Sequence, residues 1–405
     1  MLGNLGEGRL FNLKGISHIM KIRIASFNIE KFSRQSVYCT NDAESRKDIK
    51  MIAKIIRENN FDIIALQEVF HPEALKYLLR ELSYQNPVDV SVSRMGAYTA
   101  QIAGFKSDTW EARWAQPKPK FSNMAAEGYA FIWNTKRIGL SRNMKGKIFE
   151  PRIADYGHAF ELVRPPLIAR FTPLNRYYEI RLINTHIVFS IKDEDKLRTN
   201  QDGEQISSYT KLRNLELQVL LKGIYKRFSN MVVDYRGIDK YARNLVSYTF
   251  LLGDYNLNLQ DVKNVARPSE CLDFNNLIGY IDGDKSMWIE TVNSERTTLR
   301  KTVRSIDNTL DRDIIKVQSN ESKTYEAKDY LANNFDHFSF DLNMLEDHGI
   351  HMPKYGVVLA YENYKDDEVS NRFEQYTKKV SDHLPIYLDF SIKNTGKSKG
   401  EFDDS

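Results

Sequence analysis

The sequence predicts a mixed α/β fold with many short strands, and three observations support this prediction. Hydrophobic residues make up 41% of the 405 positions, which is enough to bury a large core. Short apolar runs that end at polar residues recur from residue 21 to residue 392, whereas helical periodicity is confined to a few segments. No Pro-, Gly- or Ser-rich linker divides the chain. We therefore expect a single domain from residue 20 to residue 393.

The first elements form a βαβ-like opening. Polar and apolar residues alternate from Lys21 to Asn28, which predicts a strand that presents Asn28 at its end. A helix is predicted from Asp42 to Asn59, because its apolar residues recur at spacings of three and four. The apolar segment Phe61–Val69 then predicts a buried strand with Gln67 and Glu68 at its end.

The remaining elements follow from the same patterns. Apolar runs predict strands at residues 129–133, 167–171, 178–184, 247–253, 335–340 and 384–392, and an apolar face predicts a helix at 209–228. The segments near 84–123 and 291–328 show no sustained period, so we predict irregular surface insertions there. Residues 1–19 are predicted to be a flexible extension and residues 394–405 a disordered tail.

Composition excludes several classes of protein. The formal net charge of +4 is too balanced to indicate nucleic-acid binding through bulk electrostatics alone. Two cysteines, Cys39 and Cys271, cannot supply a disulfide framework or a four-thiolate zinc site. No stretch approaches the roughly 20 apolar residues of a membrane-spanning helix, and the N-terminus does not resemble a secretory signal. We expect a cytoplasmic protein without membrane insertion.

Nearly every predicted strand ends at an ionisable or amide residue. A single such residue is usually a turn or capping residue, but side chains of this kind at many strand ends could hold a metal ion and a phosphate at one sheet edge. The residues in question are Asn28, Gln67, Glu68, Glu127, Thr185, His186, Asp254, Asn256, Asp336, Asp382 and His383.

At these residues the chain resembles the DNase I-like superfamily of endonucleases, exonucleases and phosphatases. The matching segments are FNIEKF, IIALQEV, EGYAFIW, INTHIVF, FLLGDYNLN, NNFDHFSF and VSDHLPI, in the order of the family, of which GDYN and SDHLP are the most specific. The resemblance implies a two-sheet β-sandwich flanked by helices, four layers in all. It also implies metal-dependent hydrolysis of phosphoric esters.

The resemblance assigns a metal site, an aspartate that activates the water and an asparagine that binds the phosphate. Asn28 and Glu68 are expected to hold Mg²⁺, with Mn²⁺ as an alternative, and Asp382 to complete this site or a second one. Asp254 would orient or deprotonate the attacking water, while Asn256 would donate to a phosphate oxygen.

Two histidines and their partners complete the expected site. Asp336 is expected to pair with His383, which would act as a general acid/base or as an electrostatic clamp on the phosphate. His186 would contact the phosphate opposite His383, with Glu127 as its carboxylate partner. Arg164 resembles a phosphate-contacting arginine of the nucleases. His71, His158, His337, His348 and His351 match no catalytic position of these motifs, and we predict structural roles for them.

The substrate is left open by the fold, because the superfamily includes nucleases, phosphoinositide phosphatases and sphingomyelinases. FNIEKF and the Arg164-Pro-Pro segment resemble the DNase I branch, and the basic stretch 297–304 could face a phosphate backbone. Trp110 and Trp114 could stack on unpaired bases together with nearby lysines, although ordinary loop packing is favoured for them. We therefore predict a nuclease acting on nucleic acid, with DNA favoured. The alternatives are a phosphatase acting on inositol phosphates or another small phosphorylated substrate, and an inactive nucleic-acid-binding module.

Overall fold

Two mixed β-sheets dominate the part of the chain that the computed structural model describes. That part comprises residues 20–39, 46–92, 98–118, 127–143, 146–155, 162–174, 178–188, 209–231, 246–258, 289–292, 295–299, 330–347, 353–367 and 369–392. Strands are numbered below along the chain. No helix within these residues is long and apolar enough to cross a membrane.

The first sheet has eight strands in the order β14-β15-β1-β2-β6-β5-β4-β3. Its β1 and β2 are parallel, and the other neighbours are antiparallel. The bounds are Met20–Phe32 for β1, Ile63–Val69 for β2, Val88–Asp89 for β3, Thr99–Lys106 for β4, Trp110–Pro117 for β5, Tyr129–Asn134 for β6, Lys354–Val357 for β14 and Ile386–Ile392 for β15.

The second sheet has seven strands, six of them in the order β12-β13-β11-β10-β9-β7, with β8 paired to β9. Its central pair, β10 and β11, is parallel. The bounds are Ile138–Leu140 for β7, Arg152–Ile153 for β8, Leu167–Pro173 for β9, Tyr178–His186 for β10, Val246–Asp254 for β11, Ile289–Val292 for β12 and Asp336–Asp341 for β13.

The main core lies between the two sheets. Alternate residues of β1 and β2, such as Ile24 and Ile63, form one buried cluster with residues of the second sheet. The rings of Phe131 on β6 and Phe171 on β9 meet edge to face at 5.5 Å, a preferred aromatic geometry. This packing places the sheets face to face, as in a sandwich.

An amide pair also joins the sheets inside this core. Gln67 on β2 donates from Nε2 to Asn184 Oδ1 on β10 at 2.7 Å. Asn184 Nδ2 in turn donates to the carbonyls of Leu66 and Ala130 at 3.0 and 3.2 Å. Both amides are fully buried, so these bonds satisfy polar groups that would otherwise be costly to bury.

Helices cover the outer face of each sheet. Helix α1 (Ile49–Glu58) is capped by Asp48, whose Oδ1 accepts from Met51 N at 2.9 Å. It lies in one buried cluster with helix α2 (Glu73–Ser83) and the helix Val369–Lys379. On the second sheet, α3 (Tyr209–Gln218) continues through the π-helical Val219–Tyr225 into α4 (Lys226–Ser229). The four-layer sandwich predicted from the resemblance is confirmed.

The prediction of an irregular surface insertion near 84–123 is wrong. Residues 99–117 form β4 and β5, and Trp110 and Trp114 are only 5% and 2% exposed. The Trp114 indole donates from Nε1 to Val69 O at 2.8 Å. Because both rings lie in the core, neither can stack on the bases of a substrate. The second predicted insertion, near 291–328, overlaps the end of β12 (Ile289–Val292). Residues 300–329 lie outside the described part of the chain, as do residues 1–19 and 393–405.

Candidate active site

The polar strand ends of both sheets converge at one edge of the sandwich. Parallel pairing aligns Asn28 with Gln67 in the first sheet and His186 with Asp254 in the second. Antiparallel pairing places Asp336 opposite Asp254. The two halves touch directly, because Asn28 Nδ2 donates to Asp254 Oδ2 at 3.0 Å.

Asp254 stands at the centre of this group. Its Oδ1 accepts from Asn256 N at 2.8 Å, and its Oδ2 lies 3.6 Å from both His186 Nε2 and His383 Nε2. Burial raises the pKa of Asp254, although the neighbouring His383 and His186 oppose this shift. The preceding Gly253 is required here, since its φ is +143° and a Cβ would lie 1.9 Å from Thr185 O on β10.

His383 is held from both sides. Its Nδ1 lies 2.8 Å from Asp336 Oδ2, the contact expected from the motifs, and its backbone N–H donates to Ser381 Oγ at 3.0 Å. Ser381 Oγ donates in turn to Asn28 O at 2.7 Å, which ties this turn to β1. Burial would lower the pKa of His383, but Asp336 and Asp254 outweigh it and raise the pKa well above its ordinary value.

Asp254, Asp336 and His383 also have the geometry of a metal-ligand group, because one ligand atom of each lies within 4.8 Å of the others. The 2.8 Å contact between His383 Nδ1 and Asp336 already accounts for this closeness. A metal ion bound at that nitrogen would have to replace its proton, so a histidine–carboxylate pair explains the geometry more simply.

His186 lies beside Glu127 and Arg164. Its Nδ1 is 3.0 Å from Glu127 Oε2 and 3.1 Å from Arg164 Nη1, and Arg164 Nη2 donates to Glu127 Oε1 at 2.6 Å. Burial and the Arg164 charge oppose protonation of His186, but Glu127 and Asp254 outweigh them and raise its pKa. That shift favours an N–H at Nδ1 facing Glu127, although Glu127 Oε2 has no well-aligned hydrogen bond. Arg164, predicted to contact phosphate, thus lies against these two side chains.

The predicted metal residues connect to Asp254 through Asn28, which contacts the same Oδ2 that the two imidazoles approach. Glu68 is partly exposed and has a left-handed φ of +58°, and its Oε1 and Oε2 accept from Asn28 Nδ2 and Lys31 N, each at 3.1 Å. Asn28 Oδ1 accepts from Glu30 N at 3.1 Å. The amide nitrogen of Asn28, not its oxygen, therefore faces Glu68, and Asn28 bridges Glu68 and Asp254. Its role as a metal ligand stays a prediction.

Asn256 and Asp382 are the remaining predicted residues. Asn256 has a φ of +51° and donates from Nδ2 to Ile187 O at 2.7 Å, so one of its two amide hydrogens is engaged within the protein. Asp382 is half-buried between Ser381 and His383, and its carbonyl accepts from Leu299 N at 2.8 Å. A role for either residue toward a phosphate or a metal stays a prediction.

Lys47 is a site residue that the sequence did not reveal. Its ammonium lies 3.5 Å from Glu30 Oε2 and interacts electrostatically with Asp382 and Glu68, although no motif includes it. The sequence placed Lys47 inside the helix predicted from Asp42 to Asn59, whereas α1 begins at Ile49 and leaves Lys47 just before the N-cap Asp48.

The histidines outside the motifs are placed as follows. His71 Nδ1 accepts from Glu73 N at 3.2 Å at the start of α2, and His337 is fully buried with Nε2 2.9 Å from Leu257 O. Burial lowers the pKa of His337. The side chain of Cys39 and residues His158, Cys271, His348 and His351 lie outside what the structure describes.

Comparison with known proteins gives matches to solved structures alone. No family model and no curated protein matches the chain. An endonuclease/exonuclease/phosphatase family protein from Bacteroides thetaiotaomicron is 13% identical, with 93% of this chain and 96% of that chain covered and a TM-score of 0.45. D. rerio TDP2 complexed with a single-strand DNA product is 14% identical, over 91% and 98% of the two chains, with a TM-score of 0.42. ANGEL2, described as a 2′,3′-cyclic phosphatase, is 13% identical, over 93% and 96%, with a TM-score of 0.41.

The superfamily that the motifs predict is thus represented among the matching structures. Similarity of this degree carries no information about the substrate. The assignment of a reaction therefore depends on the geometry of the site itself.

Proposed function

We propose that this chain is a metal-dependent phosphoesterase that hydrolyses phosphodiester bonds of nucleic acid, with DNA as the favoured substrate. The observation that carries the proposal is a pair of imidazoles on one carboxylate. His186 and His383 each place Nε2 3.6 Å from Asp254 Oδ2, and each has a second carboxylate at Nδ1. Two imidazole nitrogens beside one proton acceptor match a phosphate and its attacking water.

Asp254 is the group suited to activate the water. Its Oδ1 is fixed by Asn256 N and its Oδ2 by Asn28 Nδ2, so the carboxylate is held in one orientation. Burial makes this carboxylate a better base than an exposed aspartate. In the proposed reaction Asp254 Oδ2 orients the water and accepts its proton.

The two imidazoles would hold the phosphate. His383 is oriented by Asp336 and His186 by Glu127, and each would donate from Nε2 to a non-bridging oxygen. Arg164 adds positive charge behind His186. Donors fixed before the substrate binds need no reorganisation as negative charge develops on the phosphoryl oxygens.

Glu68 and Asp382 fit a hard divalent cation. Both carboxylates are partly exposed, and each Glu68 oxygen accepts one hydrogen bond from the described residues and keeps further lone pairs. Asn28 turns its amide nitrogen to Glu68 and its Oδ1 to Glu30 N, so it would reach the ion only with the amide reversed. Mg²⁺, or Mn²⁺ in its place, would stabilise charge on the departing oxygen when bound. Asn28 couples this side of the site to Asp254 through its amide nitrogen.

The preference for nucleic acid depends on segment resemblance. FNIEKF and the Arg164-Pro-Pro segment resemble the DNase I branch. The buried Trp110 and Trp114 no longer support it. A phosphatase acting on inositol phosphates would use the same two imidazoles, so the substrate must be decided by assay.

The proposal is tested with purified protein, supercoiled plasmid DNA and Mg²⁺. Wild type should nick the plasmid, whereas Asp254→Ala and His383→Ala should lose nicking and keep the wild-type circular dichroism spectrum. Release of phosphate from soluble inositol phosphates without cleavage of DNA or RNA would overturn the nuclease assignment. Equal activity in EDTA would overturn the metal requirement, and tight DNA binding without turnover in any divalent ion would support a binding module.

A further inference from the structure

Lys47 is a nearly buried cation on the metal side of the site. Its side chain is 7% exposed, and its Nζ donates to Val380 O at 2.8 Å and lies 3.5 Å from Glu30 Oε2. Asp382 and Glu68 also act electrostatically on this ammonium. The ammonium therefore contacts one carboxylate directly, that of Glu30, and lies within electrostatic range of two predicted metal ligands, Asp382 and Glu68.

The surrounding backbone holds this arrangement in place. After Asn28, β1 has an irregularity in its register, and Glu30 and Lys31 have left-handed φ values of +43° and +49°. Glu30 N is thereby turned to Asn28 Oδ1 and Lys31 N to Glu68 Oε2. Such a strained segment persists only where its surroundings compensate, which is common at functional sites.

Lys47 itself is fixed from two other parts of the chain. Its backbone N–H donates to Ser36 O at 2.8 Å, and the next residue, Asp48, donates from N to Lys379 O at 2.7 Å. The lysine is therefore placed between the π-helical turn Gln35–Cys39 that follows β1 and the end of the helix Val369–Lys379. Its position follows from the fold and does not depend on a flexible surface side chain.

The charges around Lys47 indicate what its ammonium does. Burying an ammonium is costly, and burial lowers the pKa of Lys47, while Glu30, Asp382 and Glu68 oppose that shift. Carboxylates gathered without a cation would repel one another. Lys31 Nζ also lies 3.7 Å from Glu30 Oε1, but its side chain is 73% exposed, so Lys47 is the buried ammonium beside these carboxylates.

We propose that the Lys47 ammonium is the resident counter-ion of the carboxylates Glu30, Glu68 and Asp382, and that it sets how tightly the site binds a divalent cation. The inference depends on the proposed function, because it takes Glu68 as a metal ligand. Lys47 acts here as a positioning residue: it holds the carboxylates together without a metal and opposes the entry of the ion through its charge.

The test is a titration of the full chain with Mn²⁺ alone. Binding is measured by calorimetry and by the electron paramagnetic resonance signal of the free ion. Lys47→Met removes the charge, so Mn²⁺ should bind roughly tenfold tighter, since a nearby positive charge no longer repels it. Lys47→Arg keeps the charge and should bind within about twofold of wild type. The matched control is Lys50→Met, an exposed lysine on α1, which should leave the affinity unchanged.

Thermal unfolding distinguishes a counter-ion from a purely structural lysine. In EDTA, Lys47→Met should unfold at a lower temperature than wild type, and saturating Mg²⁺ should raise its Tm by more than that of wild type. An unchanged or weaker Mn²⁺ affinity in Lys47→Met would overturn the proposal, whatever its Tm. Lys47→Gln, which can still donate to Val380 O, replaces the methionine variant if that protein does not fold.

Glu68→Ala separates this inference from the proposed function. If wild type binds Mn²⁺ and Glu68→Ala does not, the metal site stands, and the Lys47 variants decide the inference alone. If wild type and Glu68→Ala bind Mn²⁺ equally, the assigned metal site is overturned, and the role of Lys47 with it.

Discussion

Strand β10 carries buried charge at both of its ends, and the two ends are organised differently. At its start, Glu179 accepts from Arg170 Nε at 2.9 Å and from Arg181 Nε at 2.6 Å. Arg181 also donates to three carbonyls at the end of α4, at 2.7, 2.8 and 2.7 Å, those of Phe228, Ser229 and Met231. At the end of β10, His186 Nε2 stands 3.6 Å from Asp254 Oδ2.

The difference lies in the distance between the opposite charges. Around Arg181, cation and anion alternate within hydrogen-bond distance, so the group stabilises the attachment of α4 to the sheet. Around Asp254, two imidazoles share one carboxylate at a separation beyond a hydrogen bond. Burial of charge is therefore common to both ends, and the 3.6 Å separation between each imidazole and Asp254 distinguishes the proposed catalytic group.

The largest effect is expected from a substitution in the group around Asp254. Asp254→Asn keeps the shape of the side chain and removes the proton acceptor, so the rate of plasmid nicking should fall about 1,000-fold or more. The free energy of unfolding should change by less than about 1 kcal/mol, because loss of a buried charge and loss of a hydrogen-bond acceptor oppose each other. Nicking rates and urea unfolding check both. The matched control is Asp367→Asn at an exposed position, and a wild-type rate in Asp254→Asn would remove this residue from the mechanism.

The next effect breaks the structural end. Arg181→Met leaves three carbonyls without their donor and Glu179 with one cation, which should lower the free energy of unfolding by about 3 to 5 kcal/mol. The nicking rate per folded molecule at low temperature should stay near that of wild type. Urea unfolding measures the loss, and Arg227→Met at an exposed site of α4 is the control. A stability equal to wild type would show that this group is dispensable.

The smallest effect concerns a paired carboxylate away from both ends. Burial would raise the pKa of Asp389 on β15, but hydrogen bonds from Arg23 and Lys21 outweigh it and lower the pKa. Because the pKa of Asp389 is lower in the folded state, the ion pairs stabilise the fold fully above the unfolded-state pKa of about 3.9. This stabilisation is lost as the pH falls through the pKa of the folded state. Asp389→Asn should cost about 1 kcal/mol at neutral pH and progressively less below about pH 4. Urea unfolding at several pH values checks this, and a pH-independent difference would contradict it.

The fold was predictable wherever strands are apolar runs that end at polar residues, as in β2 and β11. Strand β5 was missed because Glu111 and Arg113 interrupt its apolar residues. Arg113 is nonetheless 2% exposed, with Glu150 Oε2 at 2.7 Å from its Nε and Glu111 Oε1 at 2.8 Å from its Nη1. Because its partner is 37 residues away, a buried charged residue of this kind looks in the sequence like a charged residue of a surface loop.

The site was predictable to the extent that its residues occur in motifs. The contacts of His383 with Asp336 and of His186 with Glu127 are those expected from the resemblance. The ammonium of Lys47 could not be predicted, because its contact with Val380 joins residues 333 positions apart. A contact of that kind depends on the complete topology, and local patterns do not contain it.

The buried amides of Gln67 and Asn184 have a consequence for the proposed reaction. They fix the first sheet, which carries Glu68, against the second, which carries His186 and Asp254. A slide of one sheet past the other by about 1 Å would cost roughly 100-fold in rate while leaving the strands of both sheets intact. The rate of turnover would then report a shift between the sheets far more sensitively than a spectroscopic measurement of secondary structure.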